Sequence, residues 1–532
     1  MKIIILIYSI IIISASNLLP QWSNDPNNNL IIGYGLDPHI CSDSAGGCYV
    51  TYDYDNLSYP RKLALERLDR YGFKPWGTMK QILGELPGQY KAQIIEDGEG
   101  GVIISYEDRQ ENPGWTARIR MQRVDSIGNF LWGQTGVKVT LDDINQGSQK
   151  VVNDGEGGAV VIWVNTLAEY KVNRISYNGE RMWGDSGIVL GINGFYDPAI
   201  LVRTTNYNYV ASGERNTYKY FDENGNIFYT GSVIWLENII SDGLGGIIIS
   251  SRGGQWPENW QLRAQRKDPL GNSLWQEPHI VVAESLYVNS RPSIRNNSSY
   301  FYFGWSGKRN GIDRIAQFQA VRLDGSKLFS DGSISISNHT PLSIAGIVPS
   351  DSNRIVFIWN DHPNLPDTTF THLYDTLGNK LWNEYGVVVA HPAMAYQTYT
   401  TDGNGGFIIG GVINNFTVVA QQVSKYGKLG EIITSVTQEY QDIIPVETIL
   451  YLNYPNPFNP ITTIKYDIIK AQDVNVIVYD ILGREVVTLV NEQQQPGSYE
   501  VKWDASIVSS GIYFYQLRTK DYVNTKKMIL LK

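Results

Sequence analysis

The stretch Asp154-Gly155-Glu156-Gly157-Gly158, followed by Ala159-Val160-Val161-Ile162-Trp163, recurs along most of the chain and restricts its fold more than any other feature. Further copies, some degraded, start at Asp43, Asp97, Asp242, Asp351 and Asp402. Asp before Gly closes a tight turn, because the carboxylate accepts backbone N–H groups and Gly takes positive φ without Cβ strain. The runs that follow, such as Val102-Ile103-Ile104 and Ile247-Ile248-Ile249, are β-branched, too short for helices and apolar at every position. That is the pattern of a strand covered on both faces, and a Gly-containing turn between two such runs makes a hairpin.

A second landmark follows about thirty residues later, fullest in Met121-Gln122-Arg123-Val124-Asp125-Ser126-Ile127-Gly128-Asn129-Phe130-Leu131-Trp132-Gly133. It is another hairpin, so each repeat holds four strands. Its large apolar position is read at Trp76, Trp132, Trp183, Phe228, Trp275, Phe329, Trp382 and Leu429, roughly 50 residues apart. Eight four-stranded repeats of this length predict an all-β fold, an eight-bladed β-propeller over residues 29–436, with a seven-bladed ring as the alternative if the degenerate fourth repeat leaves it. Leu30-Ile31-Ile32-Gly33 precedes the first turn and is expected to close the ring against the last blade.

Residues 1–16 read as a secretory signal: Lys2, the apolar run Ile3 to Ile13, then the small residues Ser14-Ala15-Ser16. That run is too short to span a membrane, and no other stretch approaches one. A net charge of −9 with no basic face argues against nucleic acid as a partner. The chain has two cysteines, Cys41 and Cys48, flanking the first turn, and hairpin flanks in an exported protein predict a disulfide between them.

Chemistry is harder to place. The Asp-Gly loops could be calcium ligands, but each offers one or two carboxylates and turn formation accounts for the same residues. The six histidines show no ligand spacing, and no nucleophile or phosphate-loop motif stands in a fitting context, so no catalytic residue, metal or cofactor is assigned. Trp256 and Trp260 share one loop, where they either stack on a sugar ring or, the reading preferred, pack over a sheet edge. Asp361-His362 and Glu107-Asp108-Arg109 follow second strands and either line a ligand-contacting surface or, again preferred, end as solvated loops. The repeats are similar to D-G-x-G-G propeller repeats of secreted bacterial proteins and do not match the Asp-box of sialidases.

Residues 437–446 read as a linker. Beyond it, Tyr454-Pro455-Asn456-Pro457-Phe458-Asn459-Pro460 forces an extended entry. Val478-Tyr479-Asp480-Ile481-Leu482-Gly483-Arg484-Glu485-Val486 makes a strand, turn and strand. Gly511-Ile512-Tyr513-Phe514-Tyr515 and Lys526-Lys527-Met528 belong to two more strands. From Glu447 to Lys532 the sequence resembles the type A C-terminal sorting domain of the type IX secretion system. The resemblance implies a small immunoglobulin-like β-sandwich and the type IX secretion machinery as partner. It also implies a source in the Bacteroidota or a related Gram-negative phylum, and export first through the inner and then through the outer membrane to the cell surface or beyond.

Two readings of the cargo stand. One is a non-catalytic binding or adhesion propeller with a surface glycan or protein ligand. The alternative is a carbohydrate-active or peptide-cleaving propeller enzyme, which would gather carboxylates or a nucleophile–base pair in the channel from different blades.

Overall fold

The computed structural model describes residues 22–531 except 55–61, 78–79, 82–87, 110–115, 193–199, 205–207, 215, 255–259, 277, 285–292, 297–298, 310–311, 330–331, 337–340, 352–353, 362–367, 384, 431–447, 452, 454–455 and 495–496. The predicted signal over residues 1–16 and the linker over 437–446 lie outside them. The described residues are all-β, with no helix. The chain divides into two compact units, Met1–Ile433 and Thr434–Lys532.

The first unit repeats one propeller-like sheet. A representative copy runs Gln146–Asn153, Ala159–Asn165, Glu169–Ile175 and Ile188–Ile192, each strand antiparallel to its neighbour. Its second strand, Ala-Val-Val-Ile-Trp-Val-Asn, is buried at all but one position, as the uninterrupted apolar run predicts. Five more four-stranded sheets follow the same order. The remaining sheet has seven strands, and Leu30–Ser42 divides it. Leu30 to Tyr34 pairs with Thr417–Val423, while Gly35 to Ser42 pairs with Cys48–Tyr54. The N-terminal segment therefore completes the last sheet before it starts the first, in agreement with the sequence expectation. Gly35 sits at this switch because a Cβ there would overlap the carbonyl of Asp53.

The first strands of successive sheets touch in order around the unit: Leu30–Ser42, Gln89–Glu96, Gln146–Asn153, Ile200–Arg203, Leu236–Ser241, Ser293–Asn296, Pro341–Asp351 and Ala395–Thr401, which returns to Leu30–Ser42. Between neighbouring sheets lie separate apolar layers, such as Ile103, Met121, Trp132, Val161 and Trp163, fully or nearly fully buried.

The recurring tryptophan ties these layers together. Each indole reaches the second turn of the next sheet and donates Nε1–H to the same carbonyl position. Trp76 bonds Ser126 at 3.1 Å, Trp132 bonds Tyr177 at 2.8 Å, Trp183 bonds Glu223 at 3.1 Å, Trp275 bonds Leu323 at 3.1 Å and Trp382 bonds Lys425 at 3.1 Å. The ring lies over the turn glycine, and a Cβ at Gly325 or Gly427 would meet Trp275 or Trp382. Register corrects two of the eight positions. In the fourth repeat Phe221 pairs with Ile227, so the equivalent residue is Tyr229, packed over Gly271, whereas Phe228 is 42 % exposed. In the last repeat Val423 bridges Leu429, so Leu429 sits two residues early.

The cysteine expectation is also corrected. Ser42 pairs with Cys48 and Cys41 with Tyr49, so the two thiols are one residue out of register and point to opposite faces. Cys48 packs with Val50 and Tyr52, Cys41 with Tyr49 and Leu65. Both are free and buried, and burial pushes both thiol pKa values up.

The second unit holds a three-stranded sheet, Ile449–Leu450, Ile461–Ile468 and Gly497–Asp504, and a four-stranded one. The latter runs Glu485–Gln494, Gln472–Tyr479, Gly511–Arg518 and Val523–Leu530. Ile461–Ile468 and Gln472–Tyr479 alternate buried with less buried positions, and their inner side chains join Trp503, Tyr515, Leu517 and Met528 in one core.

Candidate functional site

The turn aspartates are structural. In the complete copies Oδ1 accepts two backbone N–H bonds, as when Asp97 holds Glu99 at 2.8 Å and Gly101 at 2.7 Å. Oδ2 takes a guanidinium from the third strand: Arg67 on Asp43, Arg123 on Asp97, Arg174 on Asp154 and Arg266 on Asp242, each 2.9 Å apart. On Asp402 that partner is Gln422, at 3.2 Å. Carboxylates whose oxygens are engaged this way, and nearly fully buried, serve the turn. Among the described residues no three His, Cys, Asp or Glu side chains gather as metal ligands.

Among the described residues, those singled out in the sequence do not come together. Trp256 and His362 lie outside the described residues, and Asp361 ends the strand Arg354–Asp361 with its side chain undescribed. Trp260 is buried among Leu262, Trp275 and Phe301, edge-on to Trp235 at 5.6 Å, which fits packing rather than sugar stacking. Glu107 and Asp108 are not solvated loop ends: both are buried, Glu107 with Lys91 at 3.1 Å and Arg109 at 3.4 Å, Asp108 with Arg120 at 2.8 Å. Unsolvated carboxylates need such partners.

What converges instead is the wall of first strands. Four carry a non-glycine residue at positive φ: Asp37, Lys91, Ser148 and Tyr396. Register shifts accompany all four in their own strand pairs, the mark of bulges that re-aim side chains. A polar row crosses three adjacent first strands. Asp37 Oδ1 lies 3.7 Å from His39 Nε2, which faces Gln93 Nε2 at 3.4 Å, and Gln93 Oε1 accepts Lys150 Nζ at 3.5 Å. Burial lowers the pKa of Lys150, and the carboxylate of Asp37 opposes that shift.

Near the D-G-x-G-G turns, a cavity of about 470 Å³ opens between first strands. Ile95, Val151, Val202 and Ile240 supply its apolar wall, and Asn153, Asn238, Arg203 and Arg295 its polar groups. Arg203 donates to Asn153 Oδ1 at 2.7 Å. Arg295 donates to the Tyr399 hydroxyl at 3.4 Å, with its guanidinium 6.0 Å from that ring. Sequence reasoning missed both sets because their members come from different repeats.

In the second unit, the sorting motif is a clamp on the C-terminal strand. Phe458 is 2 % exposed and 5.5 Å from Trp503. Its N–H donates to Ile529 at 2.9 Å, and its carbonyl accepts from Leu531 at 2.9 Å. Asn456 Oδ1 accepts Ile529 N–H at 2.9 Å. Gly483 takes φ +76 in a turn whose Asp480 Oδ1 accepts Leu482 at 2.9 Å and Arg484 at 3.0 Å. Lys526 is half-buried and Lys527 exposed on the last strand, while Tyr454 and Pro455 lie outside the described residues. Residues 453–531 match the family described as the secretion system C-terminal sorting domain. That match places the protein at the cell surface or in the extracellular space, with the secretion machinery as a partner.

Other similarities are fainter. The chain covers 95 % of its own length and 100 % of PorZ from Porphyromonas gingivalis, a surface component of the type IX secretion system, at 9 % identity and TM-score 0.19. Against the β-propeller domain of the Trilobed protease from Pyrococcus furiosus the figures are 75 % and 98 %, 7 % identity and TM-score 0.38. BamB from Moraxella catarrhalis gives 64 % and 98 %, 10 % identity and TM-score 0.31. A curated relative, glucose-6-phosphate isomerase of Clostridium perfringens, is 28 % identical over 182 residues, 29 % of this chain and 38 % of that protein. The chain thus spans well under half the length of that relative.

Proposed function

We propose that the protein is a surface-displayed binding protein: an eight-bladed β-propeller closed by its own N-terminal segment and carried outward by an immunoglobulin-like sorting domain. Eight first strands in cyclic contact support the blade count. Two packed sheets with alternating strands support the sandwich. Export starts at the N-terminal signal and ends at the sorting domain, in a member of the Bacteroidota or a related phylum. The observation that carries a binding role is the cavity between first strands, whose described lining is aliphatic, amide and guanidinium with one serine and no carboxylate. Such a wall holds a ligand but offers no acid–base pair. A glycan and peptide array probed with the purified full-length protein tests it: a saturable ligand supports binding, and an array without hits argues against it.

The enzyme reading keeps one specific support, the row Asp37–His39–Gln93–Lys150. If it acts, glycosidase or peptidase activity of the purified protein should vanish in both His39→Gln and Lys150→Met.

A further inference from the structure

Arg295 differs from the guanidiniums of the turns. Those at 67, 123, 174 and 266 each meet a buried aspartate, whereas among the described residues no carboxylate pairs with Arg295. It is half-buried, in a chain of net charge −9, and lines the cavity between first strands. Its position is built rather than incidental. Nη1 donates to the carbonyl of Ile294 at 2.8 Å, and Nη2 reaches the hydroxyl of Tyr399. Arg295 and Tyr399 are 104 positions apart and belong to sheets separated by another. Tyr399 can cross that intervening sheet because residue 346 is glycine: a Cβ there would overlap the aromatic ring. A guanidinium fixed by a backbone carbonyl and a tyrosine, inside a concave wall without a described counter-charge, is prepared for an anion.

We infer that the cavity binds a small oxyanion ligand, a sugar acid or a phosphate-bearing molecule, with Arg295 as the charge that recognises it and Tyr399 as the residue that positions Arg295. The inference deepens the binding role proposed above and rests on it. Carboxylate and phosphate present the same acceptor geometry to a guanidinium, and Asn153 and Asn238 on the wall can donate to either. The volume, about 470 Å³, suits a ligand of one or two sugar rings.

Isothermal titration of the full-length protein at low ionic strength, with glucuronate, inorganic phosphate and glucose as separate probes, tests this. Glucuronate or phosphate should bind and glucose should not, with affinity falling as salt is added. Arg295→Gln should weaken the bound oxyanion at least tenfold, Arg295→Lys less, and Tyr399→Phe less still, at unchanged melting temperature. Glucuronate alone assigns a sugar acid, and phosphate alone a phosphate ligand. Should Arg295→Gln fail to fold, Tyr399→Phe and the salt dependence decide the matter. Absence of binding by both oxyanions, equal binding of glucose, or affinity untouched by Arg295→Gln and Tyr399→Phe would overturn the inference. A neutral glycan found on the array whose binding survives Arg295→Gln would overturn it too, while leaving the binding role intact.

Discussion

The indole nitrogen of Trp22 donates to the carbonyl of Arg70 across 3.0 Å, the same bond that each recurring tryptophan makes to the following sheet. Trp22 precedes every repeat, yet it packs with Val418 and Ala420 of the last sheet and Cys48 and Val50 of the first. It therefore fills the layer between the end and the beginning of the ring, where Leu429 lies two positions too early.

Trp22→Phe should lose the hydrogen bond, about 1 kcal/mol, and a small part of the indole's packing. Trp22→Ala should lose packing as well, about 3–5 kcal/mol. Chemical denaturation of the two variants checks this. Equal midpoints for wild type and Trp22→Ala would mean that the ring is not held closed there.

Asp97 and Arg123 form the most enclosed of the turn ion pairs, with side chains 1 % and 2 % exposed, and Arg123 also stacks 3.9 Å from the Tyr177 ring. Asp97→Ala strands a buried guanidinium and should destabilise by about 3–5 kcal/mol. The double variant Asp97→Ala, Arg123→Met should be less destabilised than Asp97→Ala alone. If the two losses simply add, the pair is not coupled as described.

His372 is buried, stacked on Trp382 at 6.1 Å, with its ring nitrogens beside the carbonyls of Leu373 and Asn383. Burial lowers its pKa below the ordinary 6.5. A depressed folded-state pKa gives stability that is present above the unfolded value and lost as pH falls through the folded one. Urea midpoints should therefore drop for wild type from about pH 7.5 to about pH 5 more steeply than for His372→Gln. Parallel pH profiles would remove His372 from the acid sensitivity.

Phe458 joins the opening motif to the last strand through both backbone bonds, and its ring lies against Trp503 of the other sheet. Phe458→Ala should destabilise the sorting domain by about 3–5 kcal/mol and leave the transition of the propeller unit in place. Calorimetry with two resolved transitions reads this, and a shift of the propeller transition would contradict it.

Much of the fold was legible because it is local and repeated. The turn chemistry of Asp97 or Asp154 and the apolar runs after them are written within ten residues or so, and they state strand, turn and two-sided burial together. Single-residue register was less legible. Phe228 and Tyr229 are adjacent aromatics, and only the pairing of Phe221 with Ile227 says which one faces inward. Cys41 and Cys48 flank one turn, but their faces depend on which residue opposes which. The candidate site was not legible. Arg295, Gly346 and Tyr399 come from three sheets, as do His39, Gln93 and Lys150, and nothing in linear spacing brings them together. Trp22 was missed for a related reason: it stands before the first repeat and half of its packing, on Val418 and Ala420, comes from the last sheet.

The claim on which the rest depends is that residues 453–531 carry an independently folded ring to the cell surface. Protease accessibility on intact cells of a host with the type IX machinery measures it most directly, comparing the full chain with one ending at Ile433. The full chain should be cut from outside, and the truncated chain should be protected in intact cells yet resist proteolysis as a folded unit once the outer membrane is opened. Surface cleavage of the truncated chain would contradict the account.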